Sequence, residues 1–361
     1  MKLTCNQENL TKGLGIVGRA VANTSLPITN NIFMEAEKDH LKLMATNLEM
    51  AIVCKVEATT TETGSLTVPA KLLTEFVNSL PAEKIEMDWN KTDMQSKTLT
   101  IDCARFKARI RGLNAKDFPP IPKVDGISTS IDSDDLKQAI NHVVFAASPE
   151  TSRPVLTGVD FRFEGDTLTL AAADGFRMAI YKLKMSKPLN KEVIIPAKTL
   201  IELNRLMTGG TVELIISSSH VLFKFNNIEL VSSVLQGSFP KYEQLIPTSV
   251  GTRSVVDVVE LRRAVRSASV FTTTVRLNMS PAKLTLSGIS GETGENTVIL
   301  DATVTGPELT TAYNGKYLMD ALNVIQTAQI SIDTTSPISP SVIKPVNGDY
   351  IYLIMPMHIS T

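Results

Sequence analysis

The run GLGIVG at residues 13–18 has a cofactor-like spacing, because it fits the pattern G-x-G-x-x-G. A dinucleotide site needs these glycines in a tight turn between a strand and a helix, where backbone N–H groups meet a pyrophosphate. Here the run begins several residues after Asn6, a good N-cap residue, and therefore falls inside a helix. The spacing favours a helix face of small residues that packs closely, and a dinucleotide-dependent enzyme is the alternative.

No other group of residues has the spacing of a catalytic or metal site. The sequence contains neither G-x-x-x-x-G-K-[ST] nor G-x-S-x-G. The acidic pair Asp134 and Asp135 lies at an expected helix start, where the helix dipole favours carboxylates without a catalytic role. Cysteine and histidine are too scattered for metal-ligand spacing, at Cys5, Cys54, Cys103, His40, His142, His220 and His358. We therefore predict no catalytic residue, no metal and no cofactor.

The composition of the 361-residue chain is that of a folded protein with balanced charge. Hydrophobic residues make up 43% and charged residues 20%, and 36 Lys and Arg oppose 37 Asp and Glu. This balance excludes a protein that coats nucleic acid through its total charge, but it allows a local basic face. The sequence has no secretory signal, no apolar run long enough to span a bilayer and no cysteine framework. We expect a cytoplasmic protein.

The elements that would position a site come from an internal repeat. The segments NQENLTKGL, DSDDLKQAI and DVVELRRAV align at Leu10, Leu136 and Leu261, which are 126 and 125 residues apart. Each aligned leucine stands four residues after a good N-cap residue, and these are Asn6, Asp132 and Asp257. Apolar residues continue at helical spacing, as Leu14, Val17 and Val21, then Ile140, Val143 and Ala147, then Val265 and Ala268. Each repeat is therefore predicted to begin with an amphipathic helix.

A second helix and several strands are predicted in each repeat. The words VPAK, IPAK and YNGK end at Lys71, Lys198 and Lys316, which thus occupy one structural position at the start of the second helix. Alternation with period two over residues 160–170, 211–218 and 220–235 predicts antiparallel strands. Residues 119–126 and 247–253 have the composition of linkers. The predicted fold is α+β, with three tandem repeats of a two-helix, antiparallel-sheet unit over residues 1–125, 126–250 and 251–361.

The last ten residues, YLIMPMHIST, are unusually apolar for a chain end. One interpretation is a last edge strand that completes the third sheet. The other is that the methionines also line an adaptable hydrophobic groove, since Met is common at surfaces that accept several partners.

Five segments carry a resemblance to a known family. They read SRPVLTGV (152–159), AADGFRMA (172–179), GSFPKYEQLIP (237–247), YNGKYLMDAL (313–322) and LIMPM (353–357). In this order, together with the three repeats, they resemble the bacterial DNA polymerase III beta subunits, the sliding clamps. The resemblance implies the DNA clamp fold and a head-to-tail homodimeric ring of six similar domains with helices lining the hole. It further implies a non-catalytic processivity subunit of a DNA polymerase.

The resemblance also implies the partners. Duplex DNA would thread the ring without sequence preference. The replicative polymerase, the clamp loader, other DNA polymerases and repair proteins would dock through short peptides of the Gln-Leu-x-Leu-Phe kind, and no membrane is involved. The matching groove, between the second and third domains, consists of Leu156, Gly175, Arg177, Met178, Pro240, Leu245, Asn314, Tyr317, Ile338, Met355, Pro356 and Met357. Arg177 and Asn314 would supply hydrogen bonds at its margin. The chain departs from the family pattern at Ala173, Phe176 and Gln244, and Ser360 and Thr361 extend the usual end.

Two further sets of residues follow from the resemblance. Basic side chains on the helices would contact DNA phosphates, and these are Lys12, Arg19, Lys71, Lys137, Lys198, Arg205, Arg262, Arg263, Arg266 and Lys316. Asn23 stands where many members carry a DNA-facing Arg. The dimer contact is expected between Phe106 and Ile110 of one subunit and Val270 and Phe271 of the other, with Arg105, Lys107 and Arg109 facing Glu292 and Glu295. A peptide-binding scaffold unrelated to DNA is the second alternative, and it would have the groove without the closed ring.

Overall fold

The computed structural model describes residues 1–22, 26–89, 98–292 and 294–358. Its α-helices come in pairs, one pair in each sequence repeat, as predicted. They are α1 (Gln7–Val17), α2 (Ala70–Asn78), α3 (Ser133–Val143), α4 (Ala197–Leu206), α5 (Val258–Ala268) and α6 (Gly315–Val324). Val21 and Ala147 lie beyond the ends of α1 and α3, because short 3₁₀ turns follow both helices. The predicted apolar positions within the helices are buried.

Strands fill the rest of each repeat. The first part of the chain contains β1 (Lys2–Asn6), β2 (Asn31–Ala36), β3 (His40–Thr46), β4 (Met50–Glu57), β5 (Thr59–Glu62), β6 (Gly64–Pro69), β7 (Lys84–Asp88), β8 (Thr98–Cys103) and β9 (Phe106–Arg111). The middle part contains β10 (Ile127–Asp132), β11 (Gly158–Ala173), β12 (Arg177–Pro196), β13 (Thr211–Ile216), β14 (His220–Phe225) and β15 (Ile228–Ser233). The last part contains β16 (Thr252–Asp257), β17 (Thr274–Ser280), β18 (Lys283–Ser290), β19 (Gly294–Thr305), β20 (Leu309–Asn314), β21 (Gln329–Thr334), β22 (Ser341–Pro345) and β23 (Tyr350–Ile354). The linker predicted at residues 247–253 therefore ends at residue 251, because β16 already begins at Thr252.

Antiparallel pairing joins these strands into three sheets. A five-stranded sheet has the order β5-β1-β7-β8-β9, and an eight-stranded sheet has the order β10-β13-β14-β15-β4-β3-β2-β6. The third sheet has ten strands in the order β11-β12-β23-β22-β21-β16-β19-β18-β17-β20. The chain divides into a first compact unit, Met1–Ser133 with Arg205–Val234, and a second, Asp134–Asn204 with Leu235–Thr361. Each unit includes part of the middle repeat, because strands of that repeat pair with β4 in one sheet and with β23 in another.

The helix starts show which predicted caps act as caps. Asp257 accepts hydrogen bonds from the N–H groups of Val259 and Glu260, at 2.8 and 3.0 Å, as the sequence predicted. Asn6 occupies the N-cap position of α1 but makes no side-chain capping bond, so that part of the prediction is wrong. At this helix start the Gln7 amide donates instead to the carbonyl of Val77, at 2.8 Å. This bond links the start of α1 to the last turn of α2.

The glycine run occupies the second half of α1 and the first residue of the 3₁₀ turn that follows, so the structure contradicts a dinucleotide turn and supports packing. A Cβ added at Gly13 would lie 2.4 Å from Cγ2 of Val56 on β4, a distance that atoms do not tolerate. A Cβ added at Gly15 or at Gly18 would have no other atom within 4 Å. The packing interpretation is therefore confirmed at Gly13, where the helix approaches the sheet, and does not extend to the other two glycines.

All three cysteines are buried in the first compact unit, and each has a free thiol. Burial raises the pKa of Cys5 to about 12 and that of Cys54 to about 11. The pKa of Cys103 is also raised, by burial and then by the charge of Glu83. In the described ranges no three His, Cys, Asp or Glu side chains are placed to hold a metal ion. No helix in those ranges is long and apolar enough to cross a membrane.

A bidentate ion pair connects β16 and β21 in the ten-stranded sheet. Arg253 donates from Nε and Nη2 to the two carboxylate oxygens of Asp333, at 2.7 and 2.8 Å. Lys344 Nζ lies 3.3 Å from Oδ2 of the same carboxylate. The Asp333 side chain is only 4% exposed. Burial by itself would raise the pKa of Asp333, but the hydrogen bonds from Arg253 and Lys344 lower it below its ordinary value. At neutral pH the Asp333 carboxylate is thus ionised and bound by Arg253 and Lys344.

We expect Asp333→Asn to lower the free energy of unfolding by about 2 kcal/mol at neutral pH, because it removes charge-assisted hydrogen bonds. Since the folded-state pKa of Asp333 is lowered, its contribution is present above the unfolded-state pKa and disappears as the pH falls through the folded-state value. Urea denaturation at about pH 7 and about pH 3 measures both effects. Asp301→Asn, at an exposed position on β19, is the matched control and should change stability by no more than about 0.5 kcal/mol. Equal losses of stability in the two variants would contradict the assignment.

Candidate functional site

The second compact unit contains an apolar cavity of about 170 Å³, which we name the apolar groove. Its lining comes from segments far apart in the sequence: Arg153, Leu156, Ala173, Gly175, Phe176, Arg177, Met178, Pro240, Leu245, Pro340, Leu353 and Met355. Leu156, Met178 and Leu353 are buried and belong to one hydrophobic cluster with Phe239 and Tyr242. Pro240, Leu245 and Met355 are exposed at its walls. A pre-formed apolar concavity with exposed walls suits a ligand that inserts a few side chains.

The turn between β11 and β12 forms one side of the groove. The Asp174 carboxylate accepts from the N–H groups of Phe176 and Arg177, at 2.9 and 3.0 Å, and fixes the turn. Gly175 lies at φ +92°, a conformation that favours glycine and leaves the mouth of the groove without a side chain at this point. Beyond the turn, Met178 pairs in register with Leu353 of β23, which brings these two lining residues together.

The C-terminal strand is internal to its sheet, so the prediction of an edge strand is wrong. β23 pairs with β12 on one side and with β22 on the other. After the strand, Met355 N–H donates to the carbonyl of Phe176 at 2.8 Å, and Met357 N–H donates to that of Ala312 at 2.7 Å. The interpretation that a methionine lines a groove is supported at Met355, which is 43% exposed in the groove wall.

Arg177 is engaged within the protein, and the hydrogen bonds that it was expected to supply to a ligand stay a prediction. Its guanidinium donates to Asp174 at 2.9 Å, to Asp320 at 2.6 Å and to the carbonyl of Phe145 at 2.9 Å. It also lies 4.2 Å from the ring centroid of Tyr317. Burial alone would lower the pKa of Arg177, but its hydrogen bonds to the carboxylates raise it. Arg177 therefore fixes the groove wall to α6.

Seven of the predicted groove residues line the cavity, and five do not. The five that lie outside its lining are Asn314, Tyr317, Ile338, Pro356 and Met357. The Asn314 side-chain oxygen Oδ1 caps α6 by accepting from the N–H groups of Lys316 and Tyr317, so this oxygen is not directed to a ligand. The prediction omitted Arg153, Leu353 and Pro340 and treated Ala173 and Phe176 only as departures from the family. Leu353 had a usable signal, since it lies two residues before Met355 and alternate residues of a strand share a face.

The predicted DNA-contacting side chains are exposed on the helices, with two exceptions. Lys12, Arg19, Lys71, Lys198, Arg205, Arg263, Arg266 and Lys316 are exposed. Lys137 is half-buried. Arg262 is half-buried and donates from Nη2 to the carbonyls of Leu322 and Ile325 at the end of α6, at 2.6 and 3.3 Å, so part of its guanidinium is engaged within the protein. Its contact with DNA stays a prediction. Asn23, Ser360 and Thr361 lie outside the described residues.

The predicted dimer contact falls partly on sheet edges. β9 is an edge strand of the five-stranded sheet, and Phe106 on it is 48% exposed. Ile110 is only 3% exposed because it already packs in the core, and Lys107 binds Asp102 of β8 at 2.9 Å. The structure therefore leaves Phe106 as the available apolar residue of this edge.

An open strand edge in the third repeat lies on β19, and the dimer contact expected near Val270 and Phe271 stays a prediction. Val270 and Phe271 are in the turn after α5, outside the strands. Residues 294–301 of β19 pair with β18, and only residues 302–305 pair with β16, so the described strand has an open edge over its first part. Ile299 on β19 is 64% exposed, and Val270 is 77% exposed. The open edge and the exposed Ile299 belong to one strand, and pairing with another strand would cover that edge.

Comparison with known proteins decides the family. Family models of the N-terminal, central and C-terminal domains of the DNA polymerase III beta subunit match residues 1–122, 130–241 and 243–358. The chain belongs to this family. Its members are the sliding clamps, so membership gives the chain the function of a clamp and confirms both the resemblance and the fold class. The three family matches follow one another along the chain in the order of the repeats.

Individual sliding clamps match this chain along almost its whole length. The beta sliding clamp of Synechocystis sp. is 30% identical over 391 residues, covering 99% of this chain and 100% of the relative. That of Bacillus subtilis is 30% identical over 381 residues and covers 99% of both chains. A crystal structure of the Bacillus subtilis clamp superposes with a TM-score of 0.96 at 28% identity over 100% of both chains. A Pseudomonas aeruginosa sliding clamp bound to griselimycin superposes with a TM-score of 0.94 at 28% identity, over 99% of this chain and 100% of that one.

Proposed function

We propose that this clamp closes as a head-to-tail homodimer around duplex DNA and keeps the replicative polymerase on it, without catalytic activity of its own. The observation that carries the proposal is the match of three beta-subunit domains, in order, to almost the whole chain. The proposed domains are residues 1–125, 126–250 and 251–361, so that a dimer contains six. The clamp loader, other DNA polymerases and repair proteins are the further proposed partners.

Ring closure is supported by the two sheet edges. The outer edge of β9 and the open part of β19 each present backbone groups and an exposed apolar residue, Phe106 and Ile299. Since the two edges belong to different surfaces, pairing them between subunits is heterologous, and such contacts form rings when the rotation closes. Negative-stain electron microscopy is the test, with closed rings around a central hole as the expected class averages. Particles without a hole would contradict the proposal and favour a peptide-binding scaffold.

DNA contact is proposed to be electrostatic and independent of sequence. The exposed cations lie on the paired helices of all three repeats, at positions such as Lys71, Lys198 and Lys316. Contacts to phosphates carry no sequence information, so a ring that uses them can move along the duplex. The near-neutral net charge of −1 limits attraction of DNA to the remaining surface.

We expect Arg266→Gln to weaken binding to any duplex by a similar factor and to reduce the salt dependence of binding. The slope of log K against log salt should fall by about 0.9 for each phosphate that the variant no longer neutralises. Anisotropy titrations of a labelled duplex from about 50 to 200 mM salt measure this slope. Arg262→Gln is the matched control on the same helix, because Arg262 binds the α6 carbonyls and its replacement should lower stability by roughly 1 kcal/mol instead. A sequence-dependent effect of Arg266→Gln, or an equal slope change in the control, would contradict the proposal.

Partner peptides are proposed to dock in the apolar groove as extended segments. Buried Leu156, Met178 and Leu353 would receive one or two apolar anchor side chains, which carry most of the affinity in such interfaces. The exposed Arg153 at the rim is a cation available to a ligand, whereas Arg177 is neutralised by its two aspartates. This arrangement favours a short apolar peptide with an acceptor group near one end.

A further inference from the structure

One segment of the second compact unit separates two cavities. The first is the apolar groove. The second, which we name the polar cavity, has a volume of about 620 Å³ and is lined mainly by polar and charged residues: Arg162, Phe163, Glu164, Asn190, Lys191, Glu192, Ser238, Phe239, Lys241 and Glu243. Along residues 238–245, Phe239, Lys241 and Glu243 line the polar cavity, whereas Pro240 and Leu245 line the groove. The two cavities therefore share one stretch of chain as part of their walls.

The groove end of this segment is fixed by side chains. Leu235 N–H donates to Ile194 and Gly251 N–H donates to Thr334, but in the described structure residues 237–247 make no backbone hydrogen bond to a neighbouring strand. Phe239 and Tyr242 anchor the segment by burial in the hydrophobic cluster. The 3₁₀ turn Tyr242–Leu245 then extends outward to place Leu245, which is 52% exposed.

Arg162 on β11 holds that turn from the polar side. Its Nη1 forms an ion pair and a hydrogen bond with Glu243 Oε1. Its guanidinium carbon lies 5.0 Å from the ring centroid of Tyr242, within the range of a cation–π contact. The Arg162 side chain is 18% exposed and the Glu243 side chain is 53% exposed, so the guanidinium is largely enclosed while its partner on the turn faces solvent. The guanidinium therefore binds two consecutive residues of the turn that carries Leu245.

Arg162 is itself anchored to the long β11–β12 hairpin. Its Nη2 lies 3.5 Å from Asp160 Oδ2 and 4.0 Å from Glu192 Oε1. Asp160 is completely buried, and its Oδ1 has no hydrogen-bond partner within the described part of the chain. Burial, and then the charge of Glu192, raise the pKa of Asp160 to about 7. One guanidinium thus contacts the acidic side chains of Asp160, Glu192 and Glu243, and it links the turn to the hairpin.

We propose that Arg162 is a positioning residue for the apolar groove, because it holds the Tyr242–Leu245 turn against the β11–β12 hairpin and so sets the place of Leu245. This inference rests on the proposed docking of partner peptides in the groove. Arg162 does not line the groove and would not touch the peptide. Its effect on peptide affinity therefore passes through Leu245.

The test is a double-mutant cycle on the full-length protein, with anisotropy of a fluorescein-labelled peptide of the Gln-Leu-x-Leu-Phe kind as the readout. Arg162→Gln is expected to weaken binding about five-fold, and Arg162→Lys, which keeps the charge, should recover most of the affinity. In a Leu245→Ala background, Arg162→Gln should cause no further weakening, because the side chain that it positions is already gone. Glu243→Gln breaks the same contact from the exposed turn and should reproduce the effect if Arg162→Gln does not fold.

The outcomes separate this inference from the proposed function. If Leu245→Ala weakens binding and Arg162→Gln does not, the positioning role is overturned and the groove stands. Equal weakening by Arg162→Gln in both backgrounds would also overturn it, since the effect would not pass through Leu245. If neither Leu245→Ala nor Met178→Ala weakens binding, docking in the groove fails, and the positioning role fails with it.

Discussion

A chain that ends at Ile354 is expected to bind a Gln-Leu-x-Leu-Phe peptide at least about 30-fold more weakly than the full chain, a difference of roughly 2 kcal/mol. The deletion removes Met355 from the groove wall together with its hydrogen bond to Phe176. It leaves β23 complete, so Leu353 keeps its place in the sheet. Fluorescence anisotropy with the labelled peptide measures the change.

The control for this deletion is an exposed apolar residue outside the groove. Val346→Ala removes methyl groups at a position that is 52% exposed and absent from the groove lining, so it should leave peptide affinity unchanged. Both variants should run as dimers, because neither changes the proposed subunit contact. Unchanged affinity in a shortened chain that is still a dimer would refute the assignment of the groove.

The second large effect is expected at the subunit contact, where Phe106→Asp should convert the dimer into a monomer at micromolar concentration. The substitution removes an exposed aromatic residue from the edge strand β9. It also places a carboxylate on the strand that is proposed to face Glu292 and Glu295 of the other subunit. Removing an aromatic anchor and adding repulsion should cost about 3 kcal/mol or more, which raises the dimer Kd at least about 100-fold. Sedimentation velocity distinguishes the two masses directly.

Matched variants make this prediction specific. Ile299→Lys acts on the open edge of β19 and should give the same monomer from the other side of the contact. Leu48→Asp changes an apolar residue that is 58% exposed in the turn between β3 and β4, and it should leave the dimer intact. If the wild-type protein is a monomer at micromolar concentration, the proposal of a dimeric ring is wrong. If Phe106→Asp is still a dimer, the subunit contact lies on another surface. The monomeric variants should still bind the peptide, since the groove lies within the second compact unit.

Sequence periodicity predicted the elements well because it depends on local spacing. The six helices start where the repeat places them, and Asp257 caps α5 as its side chain suggests. The convergence of Leu156, Met178 and Met355 was predicted only through the family resemblance, because no local pattern states which strands pair. The same limit explains the C-terminal strand, whose internal position depends on pairing with β12, far away in the sequence.

The sequence did not show the internal partners of two arginines, because tertiary contacts set those partners. Arg177 is neutralised by Asp320, which lies 143 residues away in the sequence, and Arg262 by carbonyls at the end of another helix. An arginine on a polar position of a helix or turn has the same appearance in the sequence whether it faces DNA, a peptide or a helix end. Only the folded structure distinguishes these environments, and it also reveals Arg162 behind the groove.

The three buried thiols give the protein a built-in reporter of partial unfolding. A thiol reacts with alkylating reagents as the thiolate, and burial here suppresses that form at Cys5 and Cys54. The sequence has three cysteines, and all of them lie in the first compact unit. Alkylation under native conditions therefore measures how often that unit opens, and the second unit contributes nothing to the signal. Mass spectrometry of the labelled protein, set beside the decrease of circular dichroism from the whole chain, would show which half of the molecule opens first.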